Sequence, residues 1–319
     1  MSLKFSASGL NLSLMTSALE AATRGAMLVR APHLGTIAVL GPDRQSWLNG
    51  LVTSDLTKLG PGSASYGLVL VKIGRILADV WVLSADDRLL VGAPRDRIPT
   101  LREHFEKYLI MEDATHVDAS HEFSWAFAHG PRAGALLGEL PQRHGAYGGT
   151  FDVTGLGGGA LVAPQHKLEA LLAEMARESD VVIASEEDWE TLRVRRFLPR
   201  FSVDFGDKNY PQEAALEKIA VSFNKGCYLG QEVVCRLEMR GHVVKKIVPL
   251  RLTAGDPPAA GVEVRSKEGK VLGSISSAAS DDGAPVALAM VRVDFTQPGT
   301  KLDVAGREAT VIGQPQEPC

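Results

Sequence analysis

The chain has 319 residues, 45% of them hydrophobic and 23% charged, with a formal net charge of -4 at pH 7. That length is generous for one domain and sets an expectation of two or three. The mild acidity gives no global reason for a nucleic-acid or anionic-membrane partner, and no apolar run reaches the roughly 18 residues of a bilayer span.

The opening MSLKFSASGLNLSLM lacks the apolar core and cleavage site of a secretion signal. Cys227, Cys235 and Cys319 are odd in number and follow no framework spacing, which suits free thiols in a reducing compartment. The cytoplasm is the expected location. Pro42 and Gly50 bracket a short helix over 43–49. Strands are expected at Tyr66–Ile73 and Ile76–Ser84 around a type II′ turn at Gly74-Arg75, and a third at Arg88–Ala93. A helix over 95–111 follows, with Ile98, Leu101, Phe105 and Tyr108 on one face.

A second mixed unit repeats this alternation without repeating the sequence. Phe123–Ala128, Gly159–Ala163 and Val181–Ala184 read as strands, and Leu168, Leu171, Leu172 and Met175 mark a helix over 167–176. Ser185-Glu-Glu-Asp188 is a capping-box start for a helix reaching about Arg196, with Pro199 beyond it. Gly155-Leu-Gly-Gly-Gly159 opens no helix, so it reads as a glycine-rich turn and not a nucleotide loop. The eight histidines show no metal-ligand spacing, so no metal site is expected, and no Gly-x-Ser-x-Gly elbow is present. From Lys246 onward, short strand-like runs separated by Gly, Pro and Asp turns indicate a small antiparallel barrel or sandwich.

Between Glu190 and Arg251 the chain carries 12 Lys and Arg against 7 Asp and Glu, a local excess that suits either a solvated face or a cleft for a polyanionic small molecule. Within it lies KGCYLGQEVVCR, residues 225–236. Gly226 and Gly230 permit left-handed backbone. Leu229, Val233 and Leu237 form an apolar helical stripe beside Glu232, Arg236 and Arg240, with Gly241 as the stop. Cys227 thus precedes a helix N-terminus and neighbours Lys225, two features that favour thiolate in an accessible cysteine; burial as a small hydrophobe is the equal alternative. Cys235, within the helix, reads as packing.

Lys225-Gly-Cys-Tyr-Leu-Gly-Gln-Glu232 resembles the K-G-C-Y/F-x-G-Q-E signature of YgfZ-type proteins, relatives of the glycine cleavage aminomethyltransferase, or T-protein. Supporting segments are 40–55, similar to the family's G-x-D-x-x-x-F-L-x-G-x-x-T-x-D stretch, Lys72–Asp79, similar to its K-G-R-I-x-x-D hairpin, and Arg193–Glu213, similar to R-x-E-x-G-x-P-x-x-G-x-D followed by P-Q-E. The resemblance implies an α+β, T-protein-like fold. In it, two mixed α/β (ferredoxin-like) units and a C-terminal antiparallel β-barrel form a three-domain ring around a funnel. The units expected are 1–115, a folate-binding unit completed by part of 197–245; 116–196, the second unit; 197–245, a return segment with the signature; and 246–319, the barrel.

The resemblance further implies tetrahydrofolate, or a one-carbon derivative, as the bound cofactor. It implies a role in assembly or repair of iron–sulfur clusters in client enzymes, with those enzymes or assembly proteins as partners and Cys227 as the functional thiol, facing the folate-holding cavity. Asp79, Glu190 and Arg193, together with Lys225, Gly226, Tyr228, Gln231, Glu232 and Arg236, are the implied folate-contacting set. A monomer is expected, without nucleic-acid or membrane partner. The alternative is a folate-dependent aminomethyltransferase or demethylase. The sequence departs from the family pattern at Arg195, which stands at the acidic position of R-x-E-x-G, at the lost glycine (Phe197), and at Ala78, which replaces one of a pair of aspartates.

Overall fold

The computed structural model describes residues 18–241, 243–281 and 283–313. The opening segment read for a secretion signal, His242 and Cys319 lie outside them. A helical turn over 18–24 (α1) leads into β1 (Ala26–Arg30), β2 (Leu34–Leu40), α2 (Arg44–Asn49), β3 (Ala64–Leu70), β4 (Ile76–Ser84) and β5 (Arg88–Pro94). A single 3-10 turn at Arg95–Arg97 then enters α3 (Ile98–Glu106), and β6 (Thr115–Asp118) follows. Strands β3-β4-β5-β2-β6 form an antiparallel sheet. Alternation along β4 drives its packing. Val80 and Val82 point into a core with Leu48, Leu101 and Phe105, and Asp79 and Trp81 take the opposite face.

The β3–β4 connection differs from the two-residue turn expected. Gly74 N donates to Val71 O at 2.8 Å and Val71 N to Arg75 O at 3.0 Å, so the turn centres on Lys72 and Ile73 and Gly74 follows it at φ +76°. Only glycine fits. A Cβ there would lie 2.8 Å from the Cβ of Val233, because the hairpin tip abuts the signature helix.

The second sheet has the order β10-β1-β7-β9-β8, with β7 (Phe123–His129), β8 (Tyr147–Thr150), β9 (Gly158–Pro164) and β10 (Val181–Ile183). Helices α4 (Ala133–Leu136), α5 (Glu139–Arg143) and α6 (Leu168–Met175) cover one face. The sequence placed residues 26–30 with the first unit; in the structure β1 pairs antiparallel with β7 and parallel with β10, so the first strand completes the second sheet. Of the glycine-rich stretch only 155–157 is a turn, Gly158 and Gly159 opening β9, and Asp152 accepts there from the backbone N–H groups of Thr154, Gly155 and Gly157. The two sheets face each other around Trp125, whose indole donates to Thr36 Oγ1 at 2.9 Å and packs against Gly92. Burying a side chain of that size contributes about 3 kcal/mol.

Helix α7 (Glu186–Arg195) begins with the expected capping box, Ser185 and Asp188 each bonding the other's backbone N–H, which stabilises its first turn by about 1 kcal/mol. Beyond it the chain returns across the first sheet with little regular structure. Phe201, Phe205, Leu216 and Tyr228 pack there against Tyr66, Leu68 and Ile76. Helix α8 (Gln231–Met239) follows Gly230, which holds φ +83° with the Val71 carbonyl too close to admit a Cβ. Gly226 does not use that freedom, its φ not being positive. The buried contact of α8 is Val234, and Leu229, Val233 and Leu237 are only half-buried, because the helix rests on the hairpin tip rather than in the core. The last six strands, β11 (Lys245–Leu252), β12 (Glu263–Arg265), β13 (Val271–Ala279), β14 (Val286–Arg292), β15 (Lys301–Val304) and β16 (Arg307–Val311), close an antiparallel barrel. No helix among the described residues is long and apolar enough to cross a membrane.

Candidate functional site

A cavity of about 230 Å³ opens where the two sheets, α7 and the return segment meet. Its wall is a run of aromatic rings. Tyr66 lies 4.9 Å from Trp81, Trp81 is 4.6 Å from Phe127, Phe127 is 6.2 Å from His129, and His129 stacks on Trp189 at 4.8 Å and 7°. Strands of the two sheets supply four of these rings, because residues that alternate off the first-unit core must face the second sheet, and α7 supplies Trp189. Such a wall suits a flat heteroaromatic ligand.

Asp79 sits among these rings. Its carboxylate accepts the Tyr66 hydroxyl at 3.0 Å and keeps only partial exposure, toward the cavity. Burial pushes its pKa up to about 6, against the opposing pull of Tyr66 and of the more distant Arg200. Near neutral pH this group therefore exchanges between acceptor and donor, as an acid–base residue beside a ligand nitrogen requires. Burial lowers the pKa of His33, and drives that of His129 down to about 4, so His129 is a neutral imidazole at physiological pH. Neither ring nitrogen of His129 has a hydrogen-bond partner among the described residues.

Arg193 and Glu190 form the next layer. The Arg193 side chain is 1% exposed. It donates to Glu190 Oε2 through Nε (2.8 Å), to Asp204 Oδ2 through Nη1 (2.8 Å) and to Ser277 Oγ through Nη2 (2.8 Å). Asp204 in turn accepts from Ser277 at 2.7 Å, from Ser276 and from the Arg200 backbone at 2.9 Å. This hub ties α7, the return segment and barrel strand β13 together. Although burial works the other way, Arg193 and Arg200 hold the Glu190 carboxyl below its usual range. Phe197, at the first glycine position of the resembled pattern, holds φ +58°, and Ser202, at its second, holds φ +64°, the left-handed backbone that glycine adopts most readily.

The signature segment lies elsewhere. Lys225 Nζ donates to three backbone carbonyls, Asn49 at 2.6 Å, Val52 at 2.9 Å and Ser54 at 2.6 Å, pinning the segment to the loop after α2. Burial lowers the Lys225 pKa to about 8. Tyr228 is buried, its hydroxyl has no partner among the described residues, and burial raises its pKa. Gln231 receives the Tyr228 N–H at 3.4 Å. Gly226, Cys227, Glu232 and Arg236 are exposed, and Cys235 is half-buried. None of these signature residues lines the cavity. The structure therefore brings Asp79 and Arg193 to the cavity, with Glu190 directly behind. It places Cys227 on the surface outside the lining, where the sequence reading had it facing the ligand, because the Lys225 anchor holds the segment against the neighbouring loop. Sequence reasoning missed Trp81, His129, Trp189 and Arg200. Of these only Trp81 left a signal, being two residues from Asp79 on the same strand.

The profile of the GCVT N-terminal domain family matches residues 10–147. The chain is 24% identical over 272 residues to the tRNA-modifying protein YgfZ of Aliivibrio fischeri, covering 82% of this chain and 83% of that protein. It is 27% identical over 270 residues to the mitochondrial iron-sulfur cluster assembly factor IBA57 homolog of Neosartorya fischeri, covering 73% of this chain and 59% of that protein. Among solved structures, the glycine cleavage system aminomethyltransferase T from Bartonella henselae superposes with a TM-score of 0.80 at 21% identity, over 96% of this chain and 90% of that one. The two sheets with their helices and the closed six-stranded barrel thus constitute the T-protein fold, and residues 10–147 carry the sequence pattern of the GCVT N-terminal domain.

Proposed function

We propose that the protein binds tetrahydrofolate or a one-carbon derivative and supports assembly or repair of iron–sulfur clusters in other enzymes, with Cys227 as its functional thiol. The observation that carries this reading is the separation of two features, an aromatic-walled cavity with a titrating carboxyl group and an exposed cysteine outside it. The cavity residues suit a reduced pterin. The ring wall supplies flat contact, Asp79 accepts or donates at a ring nitrogen, and the unpartnered nitrogens of buried His129 mark unused polar capacity in the wall. Bound there, folate would supply one-carbon or redox chemistry. The chain's own part is to stack the ring, exclude water and hold a proton at Asp79. The exposed thiol is open to a macromolecular partner. Among the described residues no group of three or more His, Cys, Asp or Glu could hold a metal ion, and a [4Fe–4S] cluster takes four cysteine ligands, so any cluster at Cys227 is shared with a partner. The names of the YgfZ and IBA57 relatives support an iron–sulfur or tRNA-linked role, and those of the aminomethyltransferase relatives support the catalytic alternative.

Asp79 favours one second reading, a folate-dependent aminomethyltransferase or demethylase, because such an enzyme needs an acid–base group at the folate. Deleting the gene in its host and complementing with wild type or Cys227→Ala separates the two. The accessory reading expects iron–sulfur enzyme activities to fall under oxidative growth and only wild type to restore them. Intact activities with failure of growth on glycine or methylated amines would transfer the assignment to the transferase.

A further inference from the structure

We propose that Arg200 is the carboxylate-recognition residue of the cavity, receiving an acidic tail of the bound ligand on the Nε–Nη2 edge of its guanidinium. This rests on the folate reading above and names the tail contact of that ligand. Arg200 lines the cavity at its rim. Its side chain is 32% exposed, and the next two lining residues but one, Ser202 and Val203, are open to solvent, whereas Asp79 is enclosed.

Three observations make it a built site. Nη1 is held from one side by Glu186 at 2.7 Å and by Glu190, and the backbone N–H is held by Asp204. Among the described residues, Nε and Nη2 have no hydrogen-bond partner, and these two nitrogens form the edge whose parallel N–H bonds match a carboxylate. The same edge of Arg30 binds Glu169 in this protein, both bonds at 2.8 Å. Glu190 is itself fixed by the buried Arg193 hub, so the guanidinium is oriented before any ligand arrives. Asp79, Asp96, His33, Arg30 and Arg193 also line the cavity. The guanidinium of Arg30 is taken by Glu169 and that of Arg193 by Glu190, Asp204 and Ser277, so the free edge of Arg200 is where an anionic tail gains a positive partner.

Three probes test this by isothermal titration against wild type, Arg200→Met and Arg200→Lys. They are 5-formyltetrahydrofolate, a tetrahydropterin lacking the benzoylglutamate tail, and p-aminobenzoylglutamate. Arg200→Met should weaken 5-formyltetrahydrofolate about tenfold, equal to about 1.4 kcal/mol, and leave the tail-less pterin within about twofold. Arg200→Lys keeps the charge toward Glu186 and Glu190 but lacks the fork, and should recover only part of the loss. Equal losses for tailed and tail-less ligands, or no loss for either, overturn the proposal. Wild type that binds neither folate nor pterin refutes the folate reading. If p-aminobenzoylglutamate still binds in that case and Arg200→Met abolishes it, the carboxylate site stands alone; if it does not bind, both fall.

Discussion

Replacing Arg193 by Met separates a structural keystone from a ligand contact. The guanidinium is 1% exposed and its Asp204 partner 0%, so the substitution strands a carboxylate that keeps its serine and backbone donors but loses its counter-charge. Removing one partner of a buried pair costs about 3–5 kcal/mol. Glu190 loses the same partner, and the tie to Ser277 on the barrel is cut. At about 2 °C per kcal/mol for a chain this long, the melting temperature should fall by about 6–10 °C, read by circular dichroism. Adding Asp204→Asn should cost much less than the sum of the single changes, because the stranded charge is gone. A melting temperature within about 2 °C of wild type in Arg193→Met, together with lost folate binding, would refute the structural reasoning and return Arg193 to the ligand-contact role that the sequence implied.

Asp79→Asn tests the buried carboxyl. With a folded pKa near 6 against about 3.9 in an unfolded chain, Asp79 contributes stability that is complete below about pH 4 and is lost as pH rises through 6. The variant should therefore be more stable than wild type at pH 7.5 by about 1–2 kcal/mol in urea unfolding, with no such gain at pH 4; an unchanged pH profile would show that Asp79 is not the titrating group. Native-state alkylation with iodoacetamide, followed by peptide mapping, should label exposed Cys227 well ahead of half-buried Cys235. Equal protection of both would bury the thiol and remove it from the partner surface.

Much of the local structure was legible because its causes are local. The Ser185 capping box starts α7 as read, since both of its hydrogen bonds close within four residues. The alternation along Ile76–Ser84 located β4, the Gly, Pro and Asp punctuation located the barrel strands, and eight contiguous residues carried the family resemblance. Three features needed the folded chain. β1 joins the second sheet because its partners, β7 and β10, lie about a hundred and about a hundred and fifty residues downstream, and no short-range period records such a pairing. The cavity wall draws rings from β3, β4, β7 and α7, and its polar ends from segments as distant as Asp79 and Arg200, so its chemistry exists only where those segments converge. Cys227 looked cavity-facing from its helix-entrance position. Its actual place was decided by three backbone carbonyls that capture Lys225, groups every sequence carries and none displays. Sequence alone determined many of the strands, though not β1, β2, β6 or β8, together with the α7 cap and the signature; tertiary packing decided which of them share a site, because burial and charge pairing act between residues that meet only after folding.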